Sequence, residues 1–131
     1  MSNELNLEID KLNMKNNQLQ QIIDSLDANI YWKDIEGRVL GMNKANMQAM
    51  CIDNIKDVLN KTELELRDDK KSAQRIMEND AKVIQTKSSH TFSETSLNGK
   101  PGEYKMMISK KSCFRDECDN IAGVVGVSVA I

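Results

Sequence analysis

The stretch YWKDIEGRVLGMNKA, residues 31–45, decides how this chain folds. Residues 29–33 alternate so that Ile30 and Trp32 share one face, a spacing typical of a β-strand. The sequence Asp-Ile-Glu-Gly then predicts a turn, because glycine tolerates a positive φ. Residues 38–42 predict a second strand, so the stretch begins with a β-hairpin.

Three helices are predicted to follow this hairpin. Asn43 can cap a short helix over residues 44–51, since its side-chain oxygen accepts a hydrogen bond from an early helical N–H. Thr62 begins a Thr-x-x-Glu capping box for a brief helix. Asp68 or Asp69 can cap the next helix. The buried face of that helix is predicted to contain Ala73, Ile76, Met77, Ala81 and Ile84.

The rest of the chain predicts three further strands. They cover residues 91–97, 103–114 and 121–131, and a dense turn signal at residues 98–102 separates the first two. Hairpins that are segregated from helices indicate an α+β fold. We therefore expect a five-stranded antiparallel sheet with helices on one face, preceded by a long N-terminal helix.

A leader with heptad spacing precedes the hairpin. Leucine occupies every d position, and the a positions hold isoleucine, asparagine and isoleucine. The seam consists of Leu5, Ile9, Leu12, Asn16, Leu19, Ile23 and Leu26. This pattern favours two parallel strands, and a single asparagine at a fixes their register. We predict a coiled-coil dimerisation helix over residues 1–26, and the alternative is a lone helix packed on its own domain.

Composition and charge exclude several classes of protein. The 131-residue chain has a formal net charge of −2, without a basic stripe to hold nucleic acid or an anionic membrane. It has no apolar run of about 18 residues and no signal-peptide pattern. Its three cysteines, an odd number, favour reduced thiols over a disulfide framework. We expect a cytoplasmic segment with no nucleic-acid or membrane partner.

The order of the elements and the residues at their junctions resemble the PAS family of sensory domains. The first hairpin of that family reads Ile-Tyr-x-x-Asp-x-x-Gly-Arg-hydrophobic and is followed by Asn-x-Ala. The matching residues here are Ile30, Tyr31, Asp34, Gly37, Arg38, Asn43 and Ala45. The segment NKTELEL, residues 60–66, is similar to the Gly-Lys-Thr segment of the family, with Asn60 in place of glycine.

The C-terminal segment KKSCFRDECDNIAGVVGVSVAI, residues 110–131, resembles the last two strands of the family. Cys113 stands where proline is usual, and Asp119 replaces the glycine of the last turn. Asp followed by Asn can adopt left-handed geometry, so we expect the turn to form. The resemblance covers about residues 22–131, and we assign residues 27–131 to a PAS-like sensory domain.

The resemblance implies a signal-input module of a larger signal-transduction protein, and the heptad seam favours a homodimer. We expect that protein to be a sensor histidine kinase of a two-component system, with a C-terminal output domain outside this chain. A diguanylate cyclase is an alternative whole protein, and a ligand-free docking or dimerisation module is an alternative of another class. The sequence contains no catalytic motif, so we do not expect this segment to be an enzyme.

Methionines supply most of the predicted ligand pocket. The chain contains eight of them, and methionine fills irregular space adaptably. We expect an unidentified small molecule between helices and sheet, lined by Trp32, Met42, Met47, Met50, Met77, Met106, Ile108 and Val125. Ordinary core packing is the alternative interpretation of the same residues.

The sequence does not predict a metal or a known cofactor. His90 could ligate haem or a metal, but a lone histidine beside a polar strand is expected to be structural or exposed. Cys113 and Cys118 lack Cys-x-x-Cys spacing, so no zinc site is expected, and a disulfide under oxidative stress is an alternative to inert thiols. Cys51 lies outside the Asn-Cys-Arg-Phe context of flavin-binding PAS domains, so we do not expect flavin. Haem is not expected either, because His90 is a lone histidine, and redox sensing by bound haem stays an alternative. The acidic residues mostly neighbour lysines and predict a solvated face.

Overall fold

The computed structural model describes residues 2–95 and 105–131. In chain order its elements are α1 (Asn3–Asp24), β1 (Asn29–Asp34), β2 (Val39–Met42), α2 (Lys44–Ala49), a 3₁₀ turn (Ile55–Asp57), α3 (Glu63–Leu66), α4 (Lys70–Thr86), β3 (His90–Thr95), β4 (Met106–Arg115) and β5 (Ile121–Ala130). The turn predicted at residues 98–102 lies outside the described residues.

The five strands form one antiparallel sheet in the order β2-β1-β5-β4-β3. The last strand of the chain therefore lies at the centre of the sheet, between the first hairpin and β4. Helix α4 packs on β3, β4 and β5, and α2 contacts β1. This arrangement confirms the predicted α+β fold, with a five-stranded antiparallel sheet after a long N-terminal helix.

The two faces of the sheet have different surroundings. Lys33 on β1 and Lys111 on β4 both contact Asp80 of α4, so the face that carries these lysines lies under the helices. We call it the inner face and the opposite one the outer face. Residues directly paired across an antiparallel ladder share a face. The register therefore assigns Tyr31, Ser109 and Ser128 to the inner face.

The β1–β2 and β4–β5 turns form where the sequence predicts them. Gly37 has a φ of 82° in the β1–β2 turn, a conformation that glycine adopts without steric cost. The Asp34 carboxylate accepts hydrogen bonds from the backbone N–H groups of Glu36 and Arg38, each at 2.9 Å. In the β4–β5 turn, Asp119 has a φ of 63°, which confirms that it adopts left-handed geometry in place of glycine.

Side-chain caps begin the helices that follow the hairpin. Asn43 caps α2, as predicted. Thr62 and Glu65 form the predicted capping box of α3. Asp69, rather than Asp68, caps α4. These local signals were predictable because each depends on residues within one turn of the cap.

The buried face of α4 differs from the predicted one. Ala73, Ile76, Asp80 and Val83 are its buried residues, whereas Ala81 is exposed. The stripe keeps helical spacing but passes through a carboxylate, which a search for apolar residues alone does not include. The prediction that Ala81 lies on the buried face is wrong for this reason.

Helix α1 is a regular helix of 22 residues, none of which is buried. Within the predicted seam, Leu5, Ile9, Leu12 and Leu19 are 42–57 % exposed. Ile23, near the C-terminal end of α1, is half-buried. Apart from Ile23, the seam is therefore not packed on its own domain, and dimerisation through it stays a prediction. Within residues 2–95 and 105–131, no helix is both long and apolar enough to cross a bilayer.

Candidate functional site

A cavity lies between the inner face of the sheet and helices α2, α3 and α4. The volume open to the centre of a water molecule is about 60 Å³, and one water needs about 10–15 Å³. Its apolar lining includes Val39, Met42, Met50, Leu66, Ile76 and Met107. Its polar lining includes Asn29, Tyr31, Lys33, Asn46, Ser109 and Ser128. Small-molecule sites share this combination of apolar walls and a few polar groups.

Two buried lysines bridge three carboxylates beside the cavity. The Lys33 ammonium contacts Glu63 of α3 and Asp80 of α4, both at 2.9 Å. The Lys111 ammonium contacts Asp80 and Glu94 of β3, both at 2.7 Å. Asp80 therefore ties β1 to β4 through two ion pairs.

Arg67, immediately after α3, extends this network. Its Nε donates to Glu63 at 2.7 Å, and its Nη1 donates to the Ser72 hydroxyl at 3.2 Å and to the Thr95 carbonyl at 3.1 Å. The buried cations are thus Lys33, Lys111 and Arg67, and the buried anions are Glu63, Asp80 and Glu94. Each of the six is at most 8 % exposed. Their formal charges, +3 and −3, cancel.

The expectation that acidic residues form a solvated face is wrong for these three carboxylates. Glu63, Asp80 and Glu94 are 8 %, 5 % and 6 % exposed. Their lysine partners, Lys33 and Lys111, lie far from them in the sequence, so neighbouring lysines do not identify them. Burial is tolerated because each carboxylate is paired and hydrogen-bonded.

The ion pairs set the charge states of their members. Burial alone would lower the pKa of Lys33, but the carboxylates of Glu63 and Asp80 outweigh burial and raise this pKa above its ordinary value. Burial alone would raise the pKa of Glu63, but the cations Lys33 and Arg67 hold it at about 2. Lys33 and Glu63 therefore remain charged at neutral pH.

Tyr31 of β1 is paired with Gly126 of β5 and lies beside the ion network. A Cβ atom at Gly126 would overlap the Tyr31 ring, so this position requires glycine. The ammonium groups of Lys33 and Lys111 lie 5.4 and 5.7 Å from the ring centroid, within the distance of about 6 Å for a cation–π contact. The ring thus forms part of the surroundings that keep both lysines charged.

A chain of three hydroxyl groups continues from Tyr31 along the cavity wall. The Tyr31 hydroxyl lies 3.3 Å from Ser128 Oγ, which lies 2.6 Å from Ser109 Oγ. Ser109 and Ser128 are paired across β4 and β5, which brings their side chains together. Each hydroxyl can both donate and accept, so the chain can adapt to either kind of polar atom.

Asn46 organises the methionine side of the cavity. Its Nδ2 lies 3.2 Å from Met42 Sδ and 3.4 Å from Met50 Sδ. Both thioethers can act as weak acceptors, and both residues line the cavity. One buried amide on α2 therefore positions the two methionines.

Asn43 joins this part of the site to α1. Its Oδ1 accepts hydrogen bonds from the backbone N–H groups of Ile30 and Asn46, both at 3.0 Å. Its Nδ2 donates to the carbonyl groups of Ile23 and Ala28, both at 2.9 Å. Asn43 is fully buried, so these four bonds fix the end of α1 against β1 and α2.

Two further hydrogen bonds strengthen this junction. The Lys44 N–H donates to Asp24 Oδ1 at 2.7 Å, and the Gln20 side-chain amide donates to the Met42 carbonyl at 3.2 Å. The C-terminal end of α1 is therefore bonded to residues 42–44, directly beside the cavity.

The structure brings only part of the predicted pocket together. Met42 and Met50 line the cavity, and Met47 packs against the adjoining core cluster. Met77 lies near Gly37 at the β1–β2 turn. Trp32, Met106, Ile108 and Val125 lie on the outer face, opposite the cavity. We correct the predicted lining at these four positions, because alternation identifies two faces of a strand without showing which one the helices cover.

Sequence reasoning missed most of the polar lining. The sequence does contain a relevant signal in β5, where Gly126 and Ser128 alternate with valines. The predicted lining includes Val125 and so places the apolar side of this alternation inward. The partners that make the polar side suitable for burial come from α3, α4 and β3, which are distant in the sequence.

His90 and Cys113 contact neighbouring protein groups. The His90 Nε2 atom lies 2.7 Å from the Thr86 hydroxyl. The Cys113 thiol donates to the Val83 carbonyl at 3.3 Å. Among residues 2–95 and 105–131, no group of three or more His, Cys, Asp or Glu side chains is arranged to hold a metal ion.

The structure resembles several solved structures in fold. VqmA bound to DPO matches with 21 % identity and a TM-score of 0.74, over 86 % of this chain and 57 % of that one. The Vibrio cholerae VqmA dimer in the absence of target DNA matches with 19 % identity and a TM-score of 0.76, over 88 % and 52 % of the two chains. This chain therefore spans a little over half the length of VqmA.

Two isolated sensory domains match over most of their own length. The PAS domain of BvgS from Bordetella pertussis shares 21 % identity with a TM-score of 0.71, over 89 % of this chain and 86 % of that one. The PAS domain of the histidine kinase ThkA shares 18 % identity with a TM-score of 0.58, over 77 % and 97 % of the two chains. At these identities the likeness shows the fold alone.

A profile of the PAS fold matches the sequence over most of its length. No curated protein sequence matches this chain. The profile match covers residues 23–131, from the end of α1 through the last strand. It includes the hairpin, the helices over the inner face and the central strand β5. This chain therefore belongs to the PAS fold family.

Proposed function

We propose that this chain is the sensory input module of a larger signal-transduction protein, in which a small molecule in the cavity changes the position of α1. The cavity carries this proposal, because it combines apolar walls with hydrogen-bonding groups and includes residues bonded to α1. Met42 lines it and accepts a hydrogen bond from Gln20 of α1. VqmA, of similar fold, has been solved with DPO bound.

The proposed signal starts at the methionine side of the cavity. Met42 and Met50 are flexible and can adjust to a ligand. A ligand that moves them also disturbs Asn46, whose backbone N–H is bonded to Asn43. Asn43 in turn holds the last turn of α1. The ligand transmits a signal only if it binds one arrangement of this junction more tightly than another.

We extend the proposal to a homodimer that forms through α1. All five apolar residues of the α1 seam other than Ile23 are exposed, as are Met106, Ile108, Val127 and Val129 on the outer face of the sheet. Exposed apolar surfaces of this kind are typical of protein–protein contacts. VqmA, whose fold is similar, forms a dimer.

For the whole protein, we propose a cytoplasmic sensor histidine kinase whose C-terminal output domain carries the enzymatic activity. The fold of ThkA, a histidine kinase, supports this assignment, and the odd number of cysteines supports the location. We propose that this segment is not itself an enzyme. A diguanylate cyclase is an alternative output, and the similarity to VqmA adds a DNA-binding receptor as another.

A ligand-free docking module is the second candidate function. The exposed apolar residues of the outer face favour it, because they provide a surface for another protein. In such a module the cavity holds only water, and occupancy of the cavity has no consequence for α1.

Native mass spectrometry of freshly purified protein, combined with thermal unfolding across a metabolite panel, separates these candidates. Our proposal predicts a dimer with added mass, or a compound that raises the melting temperature. Ala49→Leu, which fills part of the cavity lining, should weaken either effect. Gln48→Leu adds the same side chain on the exposed side of α2 and should weaken neither effect. A protein mass without added ligand mass, together with an unchanged melting temperature for every compound, would support the docking module instead.

A further inference from the structure

We propose that the cavity accepts a compact, uncharged molecule with at least one hydrogen-bond acceptor, and that it discriminates against carboxylates and amines. This inference rests on the proposed function and specifies the chemical class of ligand for the same cavity. Three properties of the site support it, namely the balance of its buried charges, its hydrogen-bond donors and its apolar wall.

The ion network does not provide a counter-ion for a charged ligand. Lys33 and Lys111 each contact two carboxylates at 2.7–2.9 Å, and Arg67 is bonded to Glu63. No fully enclosed polar side-chain atom within residues 2–95 and 105–131 lacks a hydrogen-bond partner. An anion or a cation entering the cavity would therefore bring a net charge into a buried, neutral region. Burial of an unpaired charge is unfavourable.

The same side chains do provide hydrogen-bond donors. The chain of Tyr31, Ser128 and Ser109 has three hydroxyl protons and two contacts between its oxygens. Each contact uses one proton, so one remains for a further acceptor. The Lys33 ammonium has three protons, of which Glu63 and Asp80 accept two. A carbonyl oxygen or a ring nitrogen of a ligand could accept from either group without altering the charge balance.

The cavity also offers contacts to an apolar group. Val39, Met42, Met50 and Met107 line it, and the volume open to water centres is about 60 Å³. A ligand therefore needs an apolar part beside its polar atoms. Extended or multiply charged metabolites do not have this combination.

Three probes of nearly the same shape test this inference on the full chain. Benzamide is neutral, benzoate carries one negative charge and benzamidinium one positive charge. Carbon-13 methyl spectra of methionine report directly on the site, because Met42, Met50 and Met107 line the cavity. Met14 on α1 and Met106 on the outer face are exposed and act as internal controls.

We expect benzamide to shift the lining methyl resonances while Met14 and Met106 stay unchanged. Benzoate and benzamidinium should bind at least about tenfold more weakly, because neither finds an unpaired counter-ion. Acetamide, acetate and acetamidinium repeat the comparison at a smaller size. The inference is overturned if either ion binds as tightly as its amide, or if neither amide shifts the lining methyls.

Two substitutions test the reasons behind the preference. Glu94→Gln removes one buried negative charge, so the preference should move from benzamide towards benzoate. Ser128→Ala interrupts the hydroxyl chain and should weaken benzamide binding by about 2- to 10-fold. Ser93→Ala makes the same change at an exposed position on β3 and should have no effect. An unchanged preference in Glu94→Gln would show that charge balance does not select the ligand.

These results separate the inference from the proposed function. If a charged probe is preferred, the inference fails and the cavity remains a ligand site of another class. If the amides do not bind, the inference fails, and the metabolite panel decides independently whether the cavity binds any ligand.

Discussion

Asn43 is the residue that connects the candidate site to α1. Its amide oxygen accepts two backbone hydrogen bonds at the start of β1 and α2, and its amide nitrogen donates one to Ile23 in the last turn of α1 and one to Ala28 just before β1. A single buried side chain therefore spans both parts that the proposed signal must connect. A substitution that keeps the acceptor oxygen but removes the amide donor therefore separates the capping of α2 from the connection to α1.

Asn43→Ser is the substitution that makes this separation. Serine is also a good N-cap, so α2 should remain capped, but its short hydroxyl cannot replace two amide donor bonds to the Ile23 and Ala28 carbonyls. We expect faster hydrogen exchange at residues 20–26, measured by mass spectrometry. Asn54→Ser changes an N-cap of the 3₁₀ turn that has no bond to α1, and it should leave that exchange unchanged. Equal effects of the two substitutions would contradict the role of Asn43.

Glu63 should make the stability of the fold dependent on pH in the acid range. Its pKa is lowered from 4.5 to about 2, so the folded state binds its proton less readily than the unfolded state. Its stabilisation is therefore complete above the unfolded pKa and is lost as the pH falls from about 4.5 towards 2. The contribution is on the order of 3 kcal/mol of unfolding free energy.

Urea unfolding of the wild type and Glu63→Gln between pH 6 and pH 2.5 measures this contribution. We expect the wild type to be more stable at pH 6 and the difference to shrink as the pH falls. Glu78→Gln, at an exposed position on α4, should show no such trend. A difference that stays constant over the pH range would contradict the assignment.

At the scale of elements, Asp80 bonds helix α4 to two strands of the sheet. Its two carboxylate oxygens bond Lys33 and Lys111 on different strands. Asp80→Asn should lower the free energy of unfolding by about 3–5 kcal/mol, because two buried ammonium groups lose their common counter-ion. Chemical denaturation measures this loss, and Glu78→Gln should change stability by less than about 0.5 kcal/mol. Comparable stability of both variants would show that the ion network is not needed to hold α4.

The strands show how far sequence could predict this site. Alternation identified the strands themselves, and the hairpin turn and helix caps were predictable from residues close together in the chain. Alternation could not show which face of the sheet lies under the helices, because Trp32 and Lys33 belong to opposite sides of the same strand and the pattern is compatible with either side being covered. Lys33 is the buried one because Glu63 and Asp80 reach it from α3 and α4. Such long-range pairing has no local pattern.

At the scale of the whole molecule, the exposed seam of α1 predicts a dimer. Leu12→Asp and Leu19→Asp place charges at d positions, where a coiled coil buries its apolar side chains. Each should convert the protein to a monomer in sedimentation or native mass spectrometry. Gln18→Asp makes a similar change outside the seam and should leave the dimer intact. A wild-type monomer, or a dimer that survives both leucine substitutions, would contradict assembly through this seam.

The central claim is that occupancy of the cavity changes α1 through the junction at Asn43. Hydrogen exchange at residues 20–26 tests it most directly, with and without a compound that shifts the Met42 and Met50 methyl resonances. We predict that exchange at these residues changes when the cavity is filled, and that Asn43→Ser abolishes the change. Unchanged exchange in the wild type with the cavity filled would contradict the claim.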